Sequence, residues 1–304
     1  LAYVLSNFAA DLINLKNMDS KMSITNQMNI RESFSFERRV TEFLSVDELL
    51  CLQLQGYSCK DILQNAHLKD YIITGSQLYL KKARLIIEKQ TIAGISTIPV
   101  YDNRYPPKLI ESLKEDAPLL LHVLGDLNIT NAIDSVAVIG SRKADKKGEN
   151  ASYHIANKLS ISGHIIVSGL ALGCDTAAHR GCLDAGGKTI AVVASGLDIT
   201  YPKENRKLQD DIVNNGGLLV SEHPFGVKAN PTRLVSRCRI QVGLSKSVIV
   251  AESSFKSGTM YAVHFAQKYL GNNIYAVEYD KYDDNNLGNK YLIEQGIAEP
   301  ITIE

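Results

Sequence analysis

No stretch of about 18 consecutive apolar residues occurs in this chain of 304 residues, which excludes a transmembrane helix and leaves no membrane among the expected partners. Net charge is missing too, because 33 Lys plus Arg balance 33 Asp plus Glu. Attraction of the whole molecule to nucleic acid or anionic lipid therefore does not follow from net charge, and any such binding has to come from local patches. Cysteine is sparse: Cys51, Cys59, Cys174, Cys182 and Cys238 are odd in number and not closely paired. That pattern is neither a zinc framework nor a disulfide scaffold, and it leads to the expectation of a reduced, cytoplasmic protein. Leu1 to Leu15 lack a basic leader and include Asp11, against a secretion signal. What is present, 45% hydrophobic and 22% charged residues, suits a folded globular chain and excludes wholesale disorder and collagen-like repeats. The length accommodates two domains or one large α/β domain.

Residues 1–30 mix Asn, Ser, Met and Lys without periodicity, so a weakly ordered lead-in is expected. Because the chain opens on Leu, an alternative start codon or a start at Met18 or Met22 is expected as well. A small helical domain is expected over 31–93. Phe43, Val46, Leu50 and Leu54 share one helical face, as do Leu80, Ala83, Ile86 and Ile87, with Gly56 and Gly75 as punctuation. An extended segment follows at Ile98–Pro107, and Pro118–Gly125 has the pattern of a strand. From Ser135 short apolar runs alternate with amphipathic segments. The runs are Val136–Ile139, Ile165–Val167, Thr189–Val193, Leu218–Val220, Val248–Ala251 and Ile274–Val277. β-branched runs alternating with helices predict a mostly parallel sheet covered on both faces, an extended Rossmann-like doubly wound α/β domain over 94–304.

Ligands of such sheets bind beyond the carboxyl ends of the strands. The loops there are consistent: Gly140-Ser141-Arg142, Ser168-Gly169-Leu170 through Gly173, Ser195-Gly196 with Tyr201, Lys203 and Asn205 following, Ser221-Glu222, and Ser257-Gly258-Thr259. Small residues admit close approach, hydroxyls and main-chain N–H groups donate to anionic oxygens, and helix N-termini add a favourable dipole. Arg142 supplies a forked charge suited to phosphate. Taken singly, each loop is equally well explained as turn and cap chemistry. Neither common nucleotide motif fits: Arg142 stands where a dinucleotide fingerprint needs its second glycine, and Gly181 lies one residue too far from Gly187-Lys188-Thr189 for a P-loop. No cofactor or metal is implied. Basic residues gather locally: five against two acidic ones between Arg142 and Lys158, and seven against four between Lys203 and Arg239, while Glu278–Asp284 is acidic.

These residues, in this order, resemble the DprA/Smf family. The resemblance runs from about 98 to 298 and includes Gly140-Ser-Arg142, Ser168 through His179, the Tyr201-Pro-Lys-Glu-Asn205 run, Ser221-Glu222, Arg237-Cys-Arg239, Gly243-Leu-Ser245 and Ser257-Gly-Thr259. It implies a single-stranded DNA-binding protein of natural transformation that protects incoming strands, forms a homodimer and loads a RecA-type recombinase. It further implies that Gly140, Ser141 and Arg142 hold a DNA phosphate, that the Ser168, Gly169, Leu170 and Gly173 loop lines the same pocket, and that Lys203 contacts the strand. Gly196, Asn205, Arg237, Arg239, Ser257, Gly258 and Thr259 complete the expected binding set, with Tyr201 either stacking on a base or packed.

Two departures stand out. Cys238 occupies the place of the family's Asn between two arginines, removing an amide donor and acceptor. The chain also ends soon after Ile297, so the winged-helix domain of many relatives is expected to be absent. A competing reading is a nucleoside-monophosphate phosphoribohydrolase of the LOG type or a nucleotide sensor on the same fold. Ala262 stands where such a hydrolase has its glutamate, which leaves Glu222 and Glu252 as substitute carboxylates.

Overall fold

The computed structural model describes residues 44–64, 68–132 and 134–303. The lead-in expected over 1–30 and the start of the helical stretch, Phe43 included, lie outside them. The described chain divides into two compact units.

The first unit takes in residues up to Ala93 together with Thr97–Tyr105 and Pro118–Leu120. Its helices are α1 (Val46–Leu54), α2 (Cys59–Gln64), α3 (Leu68–Gly75) and α4 (Gln77–Ile92). Ser45 caps α1, its backbone N–H donating to Glu48 Oε2 (2.7 Å) in the reciprocal arrangement that satisfies an orphan donor. The apolar stripe of α1 buries Leu49 and Leu50, and that of α4 buries Leu80 and Ala83, with Ile62, Ile72 and Leu119 completing one core. Strand β1 (Ser96–Pro99) leads into a turn in which Tyr101 Oη donates to the Leu44 carbonyl at 2.5 Å.

The second unit is α/β and doubly wound. Its strands are β2 (Leu120–Gly125), β3 (Ser135–Ile139), β4 (Ile165–Ser168), β5 (Thr189–Val192), β6 (Leu218–Ser221), β7 (Ser247–Val250), β8 (Ile274–Val277) and β9 (Glu299–Ile301). They run in the order β2-β6-β5-β4-β3-β7-β8-β9, with β2 antiparallel to β6 and every other pair parallel. Strands β3, β5, β6 and β7 are buried along their whole length, which is why they appear in the sequence as unbroken apolar runs rather than as alternation. The accompanying helices are α5 (Pro107–Leu113), α6 (Lys146–Ile161), α7 (Cys174–Asp184), α8 (Arg206–Asn214), α9 (Pro231–Gly243), α10 (Thr259–Leu270) and α11 (Leu287–Glu294). The winding reverses between β3 and β7, the first strand of one half and the first of the other. A crevice at the carboxyl ends of those two strands is the physical consequence, since the loops there leave in opposite directions. Among the described residues no helix is long and apolar enough to cross a membrane.

Candidate nucleic-acid interface

That crevice is an open pocket of about 830 Å³. Its walls are Gly140–Lys143 after β3, Ser254 and Lys256–Thr259 after β7, and the first turns of α9 with Leu234, Arg237 and Cys238. Asp175, Tyr201 and Asp284 also face it.

The loop after β3 is strapped from both sides. Ser141 N–H donates to the Glu252 carbonyl (2.7 Å), and the Ser141 carbonyl accepts from Cys174 N–H (3.1 Å) at the start of α7. Gly140 has no space for a side chain, because a Cβ there would lie 2.7 Å from the Cys174 Cβ and 2.8 Å from the Glu252 carbonyl oxygen. Lys143 N–H donates to Ser141 Oγ (3.1 Å), completing a tight turn. A rigid turn thus projects Arg142 and Lys143, both exposed, at the pocket mouth. Arg142 forms no hydrogen bond or ion pair among the described residues, so its fork is available to an anion. Across the pocket, Ser257 Oγ accepts from Thr259 N–H (3.1 Å) where α10 opens, and Lys256 stands exposed beside it.

The arginines of the Arg-Cys-Arg run both make contacts within the protein. Arg237 reaches the pocket wall but is 5% exposed. Its guanidinium donates to the Gly169 carbonyl and to the Val192 carbonyl (2.9 Å), and Nη2 lies 3.5 Å from Asp175 Oδ2. Burial raises the Asp175 carboxyl above its ordinary value in spite of the neighbouring Arg237 charge. Arg239 turns away from the pocket into a forked pair with Glu222 (2.9 and 2.5 Å) and also donates to the Asp116 carbonyl (3.0 Å). Burial opposes ionisation of Glu222, but the Arg239 bonds and charge outweigh it and hold the carboxyl below its usual value. Both arginines are therefore committed inside the protein. Cys238 lies at the wall between them and bonds only weakly, Sγ to the Leu234 carbonyl at 3.5 Å.

Gly140, Ser141, Arg142, Tyr201, Arg237, Ser257, Gly258 and Thr259 are brought together around the pocket. The remaining candidates line none of it. Ser168 is fully buried, its Oγ donating to the Val138 carbonyl (2.7 Å). Gly169 leaves the space that the Arg237 guanidinium fills, and Leu170 is buried with a positive φ of 60°. Asn205 brackets this turn, donating from Nδ2 to the Leu170 and Ala171 carbonyls (2.9 and 3.3 Å). Gly196 is packed under the Pro224 carbonyl, and Gly173 supports the Ser141 turn from below. Lys203 is exposed on a short helical turn outside the pocket. Conversely, Lys143, Lys256, Asn230 and Asp284 line the pocket without having been singled out as binding residues. For Lys256 a signal was present: it immediately precedes Ser257-Gly258-Thr259.

Beneath the loop lies Glu252, completely buried at the end of β7. Its Oε1 accepts from Asp145 N–H (3.3 Å) at the start of α6, and its Oε2 has no hydrogen-bond partner among the described residues. Burial, then the nearby Asp145 charge, pushes its carboxyl up to about 7 from an ordinary 4.5. The unfolded chain releases this proton first, so the contribution to stability is complete below about pH 4.5 and is lost as pH rises to about 7. Glu252→Gln is expected to stabilise the protein by about 1–3 kcal/mol at pH 8 and to add little at pH 5. Urea unfolding at the two pH values checks this, and a wild-type-to-variant difference that ignores pH would contradict it.

Comparison with known proteins agrees with this architecture. Curated relatives include the DNA processing protein DprA of Streptococcus pneumoniae, 39% identical over 197 residues (65% of this chain, 68% of that one). DprA of Bacillus subtilis is 33% identical over 237 residues, spanning 78% and 77% of the two chains. Among solved structures, the X-ray structure of DprA from S. pneumoniae superposes with a TM-score of 0.64 at 30% identity, covering 88% of this chain and 93% of that one. A Helicobacter pylori DprA structure, described for its single-stranded DNA binding mode, gives 0.59 at 28% identity over 68% and 90%. The family model for DNA recombination-mediator protein A matches residues 96–304, and with it the strapped turn, the switch-point crevice and the Ser-Gly-Thr loop; the chain belongs to that family, the DprA/Smf proteins.

Proposed function

We propose that this protein is a cytoplasmic, non-enzymatic single-stranded DNA-binding protein of transformation and recombination. It holds the strand by its phosphates at the switch-point pocket of the 94–304 domain, acts as a homodimer and delivers the strand to a RecA-type recombinase. The observation that carries the reading is the set of exposed cations, Arg142, Lys143 and Lys256, on two loops facing one pocket. Phosphate contacts of this kind position a strand without reading its sequence. The hydrolase alternative has little support at this site. Glu222 is tied to Arg239, Glu252 is buried and lines no part of the pocket, and Asp175 is paired with Arg237, so among the described residues Asp284 at the rim is the one unpaired carboxylate facing the pocket. The relatives' own DNA-processing names and the strand-binding H. pylori structure point the same way.

The test is an oligonucleotide titration at two salt concentrations. Wild type is expected to prefer single strands over duplex, with affinity falling steeply with salt. Arg142→Ala is expected to weaken binding by about tenfold or more and to make the salt slope shallower by about 0.7, the share of one phosphate on a single strand. Binding indifferent to Arg142, or no preference for single strands, would overturn the assignment.

A further inference from the structure

The loop after β7 carries a feature that phosphate binding does not use. Phe255 stands between Ser254 and Lys256, both of which line the pocket, yet its side chain is 55% exposed. Its ring meets Tyr291 edge to face, with centroids 5.0 Å apart at 79°. Leu287, four residues before Tyr291 and so on the same face of α11, is 39% exposed. An aromatic and aliphatic ledge therefore sits directly on the rim of a cationic pocket.

The ledge is built on firm supports. Ser253 N–H donates to Asn289 Oδ1 (2.7 Å), and Gly288 N–H donates to the Ser253 carbonyl (2.7 Å). Asn289 Nδ2 in turn donates to the carbonyls of Val250, Ala251 and Val277, each at 3.1 Å. One buried amide thus locks the ends of β7 and β8 to α11. Gly288 permits the contact, because a Cβ there would lie 2.5 Å from the Ser253 carbonyl and 2.8 Å from that of Ser254. The backbone that presents Phe255 is consequently held before any ligand arrives, which lowers the ordering cost of binding.

We infer that Phe255, steadied by Tyr291, is a stacking platform for a nucleobase of the strand whose phosphate occupies the Arg142–Lys256 pocket, an inference that rests on the strand-binding reading above. Asp284 on the same rim repels phosphate, so the strand passes this side with its bases, rather than its phosphates, toward the protein. Every base has a π-face, so the platform tolerates any sequence and adds affinity without specificity.

The chain contains no tryptophan, so Phe255→Trp installs a single reporter. Its emission is titrated with an oligothymidylate and with an abasic deoxyribose-phosphate oligomer of equal length. Quenching that saturates with the first and is absent with the second is the expected result. Phe255→Ala is expected to weaken oligothymidylate binding about tenfold while leaving its salt slope and the abasic affinity unchanged. If wild type binds oligothymidylate but the reporter is silent and Phe255→Ala binds as wild type does, the platform is wrong and the strand-binding reading survives. If wild type binds neither oligomer, both fall.

Discussion

Arg237→Ala is expected to cost about 3–5 kcal/mol of folding stability, the usual consequence of removing one partner from a buried ion pair. The loss has three sources at one guanidinium. Asp175, itself 6% exposed, keeps a carboxylate with no adjacent countercharge. The Gly169 and Val192 carbonyls at the ends of β4 and β5 lose the guanidinium as their donor. The void that remains abuts Gly169, which has no side chain to relax into it. Arg237→Lys keeps the charge but cannot satisfy two carbonyls and a carboxylate in one plane, so an intermediate loss is expected. Urea denaturation of both variants, with Asp175→Asn and the double variant Arg237→Ala/Asp175→Asn, measures the coupling directly. In the double variant the orphaned carboxylate is gone, so it is expected to be more stable than Arg237→Ala alone. A folded Arg237→Ala protein within 1 kcal/mol of wild type would show that the guanidinium is not a structural brace and would return Arg237 to the list of phosphate ligands.

That prediction marks where the sequence stops being legible. The central strands declare themselves because each is buried on both faces and must be a short β-branched run, and the runs at Val136, Thr189 and Val248 all became strands. Two elements did not. Strand β9 is only Glu299-Pro300-Ile301 at the sheet edge, where exposure removes the apolar signature and a proline is tolerated. Helix α11 follows an acidic, Asn-rich stretch and buries few side chains, Leu292 the largest apolar one, so its eight residues show no clear stripe. The site divides in the same way. Glycine and hydroxyl loops at the carboxyl ends of parallel strands lie along one sheet edge, so five loops were legible as a group; only the strand order, with β3 beside β7, separates Gly140–Arg142 and Ser257–Thr259 from the rest. The duty of an arginine depends on whether a carboxylate far along the chain folds against it. Nothing near Arg237 or Arg239 announces Asp175 or Glu222, whereas among the described residues no carboxylate pairs with Arg142. Lys143 lay within the basic run after Arg142 and Lys256 directly before Ser257-Gly258-Thr259, but a lysine's charge alone does not distinguish a pocket residue from a solvated one.

Gly173→Ala is the second large effect, and it reaches the site through the backbone. Gly173 precedes α7 with φ 72° and ψ −126°, a region closed to side chains other than hydrogen. An added Cβ would drive into the Ser141 carbonyl oxygen and lie 3.1 Å from the carbonyl carbon and oxygen of Arg142. Neither obstacle is the free end of a flexible side chain. The Ser141 carbonyl is held by Cys174 N–H, and the Ser141 amide by Glu252, so the turn has no slack. Strain and overpacking together are expected to cost about 2–6 kcal/mol. Because relief requires the Ser141-Arg142 peptide to move, strand affinity is expected to fall by about tenfold or more, as in loss of the Arg142 contact itself. Gly226→Ala supplies the comparison: that glycine also has a positive φ, 82°, but nothing lies within 4 Å of its added Cβ. It is expected to lose about 1–3 kcal/mol of stability from backbone strain alone and to bind the strand as wild type does. Denaturation midpoints and single-strand dissociation constants for the two variants separate general strain from displacement of the Ser141-Arg142 turn. Equal losses of stability with unchanged affinity in both would mean that the turn yields freely, and that the strapping by Glu252 and Cys174 does not hold Arg142 in place.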